Sequence, residues 1–327
     1  MAASTSNNKK TANKPPAIFL LGPTASGKTA LAFHLVDKYN CEIISVDSAQ
    51  VYKGMNIGTA KPSPAELAAY PHHLIDIRDP ADVYSAGSFA KDAKQLMQQI
   101  SAKGKVPLLV GGTSLYFNRL LAAPTNLPPA NPAIRQQLED AIASQGLASL
   151  HQQLAEEDPA SAAKIHPNDA QRILRALEVK QLTGKPLSQL WQEQETLDFP
   201  YRLLQLGLLP ENRAWLHQRI ESRFLAMLKE GLIEEVAALK ARPDLHRNLA
   251  SIKATGYAQT WDYLAGNFGQ GKQGLAELEA RGVAATRQLA KRQITWLRSW
   301  PNLIALAAEL KQPNQQLTSA LNNFLQV

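Results

Sequence analysis

Residues 22–29, Gly22-Pro23-Thr24-Ala25-Ser26-Gly27-Lys28-Thr29, fit the spacing G-x-x-x-x-G-K-[ST]. An apolar run precedes them and a helical pattern follows. In that setting the loop's backbone N–H groups and the helix N-terminus form a nest for an anion. Gly22 and Gly27 let the backbone wrap closely, Lys28 adds a full charge, and the Thr29 hydroxyl suits Mg²⁺. The ligand is a diphosphate or a triphosphate; the motif does not choose between them.

An ordinary ATPase would end a neighbouring apolar strand in Asp or Glu. The best such run, 106–110 (VPLLV), ends in Gly111-Gly112-Thr113 instead. The run 42–46 (EIISV) does lead into acid, at Asp47, followed by Ser48-Ala49-Gln50. A carboxylate at a strand end beside a phosphate loop lies in the crevice where α/β sheets bind ligands. There Asp47 is a magnesium ligand, a general base, or a capping carboxylate. Thr113 either turns its hydroxyl into the same crevice or caps the next helix.

These residues need a sheet to hold them. Strand-like runs fall at 17–21, 42–46, 73–77, 106–110, 202–209 and 303–307, with helical stretches such as 30–39 and 88–102 between them. Runs apolar on both faces suit a parallel sheet covered by helices, an α/β doubly wound, P-loop-type fold. Residues 124–199 interrupt the alternation with prolines and helical signals alone. Asn131-Pro132 reads as a helix start, and Gly146 and Gly184 as stops. The expected organisation is a disordered arm at 1–15, a core of 16–123 with 200–327, and an inserted all-helical domain at 124–199.

Composition agrees with a globular protein: 45% hydrophobic and 19% charged over 327 residues. The net charge of +7 permits a polyanionic partner. Cys41 is the one cysteine, so internal disulfides are excluded and a reducing, cytoplasmic setting is expected. No run is long and apolar enough to predict a membrane span. From Arg247 to Trp300 there are eight Lys or Arg against three Asp or Glu. On a helix through 286–298, Arg287, Lys291 and Arg298 fall on one stripe suited to backbone phosphates. Arg172 and Arg175, three apart, form a second basic pair. Trp296 and Trp300 have helical spacing and read as core, and His72, His73 and His166 as structural.

The blocks GPTASGKT, SVDSAQVYKGMNIGTAKP (45–62), HHLIDIRDP (72–80), PLLVGGTSLYF (107–117), HPNDAQRILRALEV (166–179), HQRIESRF (217–224) and TRQLAKRQITWLR (286–298) resemble the bacterial tRNA dimethylallyltransferase family. The resemblance runs over about 17–300. The stretch 251–259 departs from it, with Lys253, Thr255 and Ala258 where Arg, Val and a basic residue are more common.

The resemblance implies transfer of a dimethylallyl group from dimethylallyl diphosphate to the N6 amine of the adenosine 3′ to the anticodon. Mg²⁺ assists and pyrophosphate leaves. It assigns residues 22–29 to the diphosphate, Thr29 also to the metal, and Asp47, Thr113 and Arg223 to catalysis. Arg219, one turn before Arg223, reads as a surface charge. Contacts to the tRNA anticodon stem-loop are implied for Asp47, Ser48, Ala49, Gln50, Arg135, Gln171, Arg172, Arg175, Lys253, Gly256, Tyr257, Arg287, Lys291, Arg292 and Arg298. A monomer is expected. The rival readings are a small-molecule kinase or ATPase, and an RNA-binding protein with a nucleotide switch.

Overall fold

The computed structural model describes residues 14–123, 127–193, 198–309 and 315–326. The chain forms two compact units, one from residues up to 121 together with those from 199 onward, the other from 122–198. Of the expected arm, residues 1–13 lie outside the described residues. Lys14 and Pro15 belong to the first unit: the Lys14 ammonium donates to the Phe199 carbonyl at 2.9 Å, and Arg202 N–H to the Pro15 carbonyl at 3.0 Å.

The first unit is built on a parallel sheet of six strands: β1 (Pro16–Leu21), β2 (Cys41–Val46), β3 (His72–His73), β4 (Val106–Gly111), β5 (Arg202–Leu209) and β6 (Ile304–Ala307). Their spatial order is β3-β2-β4-β1-β5-β6. The sequence runs are apolar throughout because the sheet is covered on both sides. Ala17, Phe19 and Leu21 of β1 join one hydrophobic cluster, while Ile18 and Leu20 join the other.

Two helices cover the Ile18 face, α1 (Lys28–Tyr39) through Ala32 and Leu35, and α14 (Gln315–Leu325) through Leu317 and Leu321. The Phe19 face is covered by α3 (Ala86–Ala102), α4 (Ser114–Leu121), α10 (Arg213–Lys229) and the long α13 (Gly271–Arg298), with α11 (Leu232–Lys240) and α12 (Tyr257–Leu264) completing the same cluster. A short α2 (Pro64–Ala69) precedes β3 and is closed by a capping box between Ser63 and Glu66.

One expected strand shrinks. Residues 73–77 pair only at His73, because the backbone turns left-handed at Leu74 (φ 65°) and Asp76 (φ 55°). Asp76 is held there by the Lys61 ammonium. Alternating apolar residues therefore mark a turn bound to the 56–61 loop, not a full strand.

The second unit is helical: α5 (Pro132–Gln145), α6 (Leu147–Glu157), α7 (Pro159–Ala162), α8 (Ala170–Thr183) and α9 (Leu187–Gln192). Asn131 caps α5 with Pro132 at its first position, and Gly184 ends α8 in the left-handed conformation. Its core comprises Leu138, Leu150, Leu154, Ile173, Leu177 and neighbours.

Candidate active site

The site begins with the register of the sheet. Leu21 pairs with Gly111 across one side of β4, and Val46 pairs with Gly111 across the other. Three strand ends thus stop in one row. The next residues, Gly22, Asp47 and Gly112, leave the sheet side by side at its carboxyl edge, where doubly wound sheets bind ligands.

Above Gly22 the phosphate loop curls back onto α1. Ala25 and Gly27 both take positive φ, 62° and 94°. Gly27 caps α1 with no side-chain hydrogen bond, so no side chain competes for the first N–H groups of the helix. The Lys28 ammonium lies against the loop, donating to the carbonyls of Gly22 at 2.8 Å and Pro23 at 2.7 Å. Burial lowers its pKa to about 7, helped by the like charge of Arg223 and opposed by Asp47. The Ser26 hydroxyl is buried within the loop without a hydrogen-bond partner among the described residues.

Asp47 follows β2 into a tight turn. Its Oδ1 accepts the N–H groups of Ala49 (2.8 Å) and Gln50 (3.2 Å), while Oδ2 makes no hydrogen bond among the described residues. One oxygen therefore fixes the turn, while the other takes no part in it. Thr113 leaves β4 and accepts the Ser48 N–H on its Oγ1 at 3.2 Å. Both residues face a cavity of about 960 Å³, which also takes in residues 24–29, Arg219, Arg223, Lys253, Arg292, Gln293 and Trp296.

Arg223 reaches the cavity from α10. It makes no hydrogen bond among the described residues, and burial lowers its pKa while Asp47 opposes the shift. Arg219, read from sequence as a surface charge, does more: its Nε donates to the Ala25 carbonyl at 2.8 Å, and its guanidinium lies 4.9 Å from the Trp215 ring centre. Two cations from successive turns of α10 therefore face the loop. The sequence missed Gln293 altogether, although the block containing it was recognised. From α13 its Oε1 accepts the Thr24 N–H at 2.8 Å, and its Nε2 donates to the Gly112 carbonyl at 3.0 Å.

The residues assigned to RNA divide into groups. Asp47, Ser48, Ala49, Gln50, Lys253, Gly256 and Arg292 line the cavity. Within it the Gln50 amide is committed, accepting from Ser45 Oγ (3.2 Å) and donating to the carbonyls of Thr59 (3.3 Å) and Ala60 (3.4 Å). Lys291 and Arg298 are exposed on α13, whereas Arg287 pairs with Glu221 at 2.9 Å.

Tyr257 corrects the expectation of an RNA-contacting side chain. Its ring is fully buried and its hydroxyl donates to Glu235, whose carboxylate also accepts the N–H groups of Asn56, Ile57 and Gly58. In the second unit, Arg135 and Arg175 pair with the fully buried Glu178, at 3.1 Å and 2.6 Å. Gln171 and Arg172 are exposed there. Trp300 is core as expected; Trp296 packs against the same core, partly buried, and also lines the cavity.

The histidines find local partners, His72 with the Tyr70 carbonyl, His73 with Glu42, and His166 with the Asn168 N–H. Among the described residues no group of three or more His, Cys, Asp or Glu is placed to hold a metal, and no helix is long and apolar enough to cross a membrane.

A strand–phosphate loop–helix unit at a central strand of a doubly wound sheet, with Arg219 and Arg223 lining the cavity beside it, defines a P-loop-type α/β protein. The family profile described as IPP transferase matches residues 50–300. A tRNA isopentenylpyrophosphate transferase from Bacillus halodurans is 37% identical, with 96% of this chain and 97% of that chain covered and a TM-score of 0.68. A tRNA delta(2)-isopentenylpyrophosphate transferase from Staphylococcus epidermidis is 34% identical over 96% and 100% of the two chains, with a TM-score of 0.66. A eukaryotic dimethylallyltransferase acting on tRNA is 27% identical over 94% of this chain and 78% of its own, with a TM-score of 0.77. The chain belongs to the IPP transferase family and is a transferase enzyme.

Proposed function

We propose that this chain transfers a dimethylallyl group from dimethylallyl diphosphate to the N6 amine of the adenosine 3′ to the anticodon in tRNA, releasing pyrophosphate. Family membership supports the reaction class and tRNA as the partner. The observation that carries the reading is the pairing of an anion cradle with one available carboxylate oxygen, Asp47 Oδ2, in a single cavity.

The N–H groups at the start of α1, Lys28 and the paired Arg219 and Arg223 face the place where charge develops on the departing diphosphate. Asp47 Oδ2 accepts the proton of the adenine amine as the nitrogen bonds to C1 of the prenyl group and the C1–oxygen bond breaks. Thr113, whose Oγ1 accepts the Ser48 N–H, lines the same cavity and would supply a hydroxyl to the reaction. Anticodon-loop bases are unpaired, so bringing one into the cavity costs little.

Mg²⁺ is the proposed cofactor. Thr29 is exposed on the first turn of α1 at the cavity wall, and its hard oxygen suits the ion. With no ligand cluster among the described residues, the diphosphate and water would supply the other donors. The ion would add charge stabilisation to the leaving group.

The test is direct: unmodified tRNA, Mg²⁺ and labelled dimethylallyl diphosphate are incubated with the protein. Label in the RNA without added ATP is the expected result. Label that needs ATP, or none at all, sinks the reading in favour of a kinase or a nucleotide switch.

A further inference from the structure

We infer that Gln293 is a positioning residue that holds the diphosphate cradle in register with the Gly112–Thr113 turn; the inference rests on the function proposed above. Its amide joins two segments far apart in sequence, Thr24 of the phosphate loop and Gly112 after β4. The Thr24 N–H can only donate and the Gly112 carbonyl can only accept. One orientation of the amide satisfies both.

A Cβ on Gly112 would stand 2.4 Å from Gln293 Nε2 and 2.9 Å from the Gly22 carbonyl, so glycine at this position is what admits the clasp. The two ends carry different halves of the reaction. Thr24 belongs to the loop that grips the leaving group, while Gly112 leads into Thr113 and, through Ser48, to the Asp47 turn. Small errors in the relative placement of reacting groups are costly in rate. The clasp also withholds the Thr24 N–H from the diphosphate, which shapes the cradle toward the N–H groups nearer α1. Arg219 ties the next residue, Ala25, from another helix, so loss of Gln293 loosens the loop without releasing it.

Two variants test this. Gln293→Met keeps the length and loses both bonds; Gln293→Glu keeps the acceptor for Thr24 but sets an oxygen against the Gly112 carbonyl. The probes are magnesium pyrophosphate binding by calorimetry, tRNA binding, and steady-state kcat and KM for dimethylallyl diphosphate. Pyrophosphate Kd and donor KM should each rise about tenfold, with kcat lowered, while tRNA affinity stays within about twofold. Unchanged pyrophosphate Kd and donor KM overturn the inference, as does an equal loss of tRNA and donor affinity.

A third measurement needs no variant. In the folded wild type the Thr24 amide proton should exchange more slowly than the neighbouring loop amides, and unprotected exchange also overturns the contact. Wild-type protein that binds neither pyrophosphate nor donor refutes the proposed function; wild-type binding with unaltered variants refutes this inference alone.

Discussion

The backbone N–H of Ser48 donates to the Thr113 hydroxyl at 3.2 Å, joining two loops 65 residues apart. The bond uses an acceptor lone pair of Thr113 and leaves its own O–H proton to donate elsewhere. It also fixes the residue next to Asp47, so the carboxylate and the hydroxyl enter the cavity from one tied framework. Asp47→Ala should therefore lower the rate of prenyl transfer by about 10²–10⁴. Its effect on tRNA affinity should stay below about tenfold, as read by single-turnover transfer and a separate binding titration. A larger loss of affinity would assign Asp47 to binding.

The two arginines of α10 should separate kinetically. Arg223 has no hydrogen bond in the described structure, whereas Arg219 is already bound to Ala25. Arg223→Ala is expected to lower kcat the more, because it removes a cation available to the developing pyrophosphate. Arg219→Ala should act chiefly on donor KM, because it loosens the loop. Steady-state kinetics with donor varied at saturating tRNA gives the comparison. Equal effects on both constants would contradict the division.

Lys28 predicts a pH dependence. Burial lowers its pKa to about 7, well below the usual 10.5. Between those values the folded free protein binds fewer protons than the unfolded chain. Its contribution to free-protein stability therefore rises with pH across that window. A bound diphosphate favours the charged lysine, so donor affinity should fall as pH rises above about 7. Donor KM measured from about pH 6.5 to about pH 9 should climb for the wild type. Lys28→Arg, which stays charged, should flatten that climb even if its KM is higher throughout.

Salt should weaken tRNA binding steeply, since phosphate contacts release counterions. Lys291 and Arg298 are exposed on α13, while Arg287 is engaged with Glu221. The double variant Lys291→Ala with Arg298→Ala should reduce the slope of log K against log salt by about 1.5. Arg287→Ala alone should change it less. A flat salt response in the wild type would sink the basic-stripe argument.

In the helical unit, Glu178 is fully buried between Arg135, Arg175 and the Asn131 N–H. Burial pushes its pKa up, but hydrogen bonds from Arg175, Arg135 and Asn131 outweigh it and hold the carboxyl below the usual range. The stability it contributes is thus present above the ordinary glutamate pKa and lost as pH falls through the lowered value. Glu178→Ala should destabilise this unit by about 3 kcal/mol, the lower end for a broken buried pair, since both arginines keep some access to water. Thermal unfolding read in the neutral range and again in acid should show the difference shrinking at low pH.

Much of the site was written locally. A phosphate loop needs only consecutive residues, so 22–29 could be read without a fold, and the strand before it followed from apolar runs buried on both faces. Asp47 and Thr113 were recognisable because each follows a strand-like run, and strand ends are where such sheets bind ligands. Residues 73–77 form less strand than their pattern predicts: alternation of apolar residues does not reveal that Lys61, 15 residues earlier in the chain, pins Asp76 in a left-handed turn.

The amino-acid order by itself determined the anion cradle, the α/β alternation and the helical interruption, because each depends on neighbours within a few residues. Only the tertiary structure decided which side chains serve the cradle. The sheet register put Gly22, Asp47 and Gly112 in one row, and helix packing brought Gln293 and Arg219 onto the loop and buried Tyr257 against Glu235. A polar side chain's task is set by the donor or acceptor it meets in space, and those partners lie 22, 194 and 269 residues away.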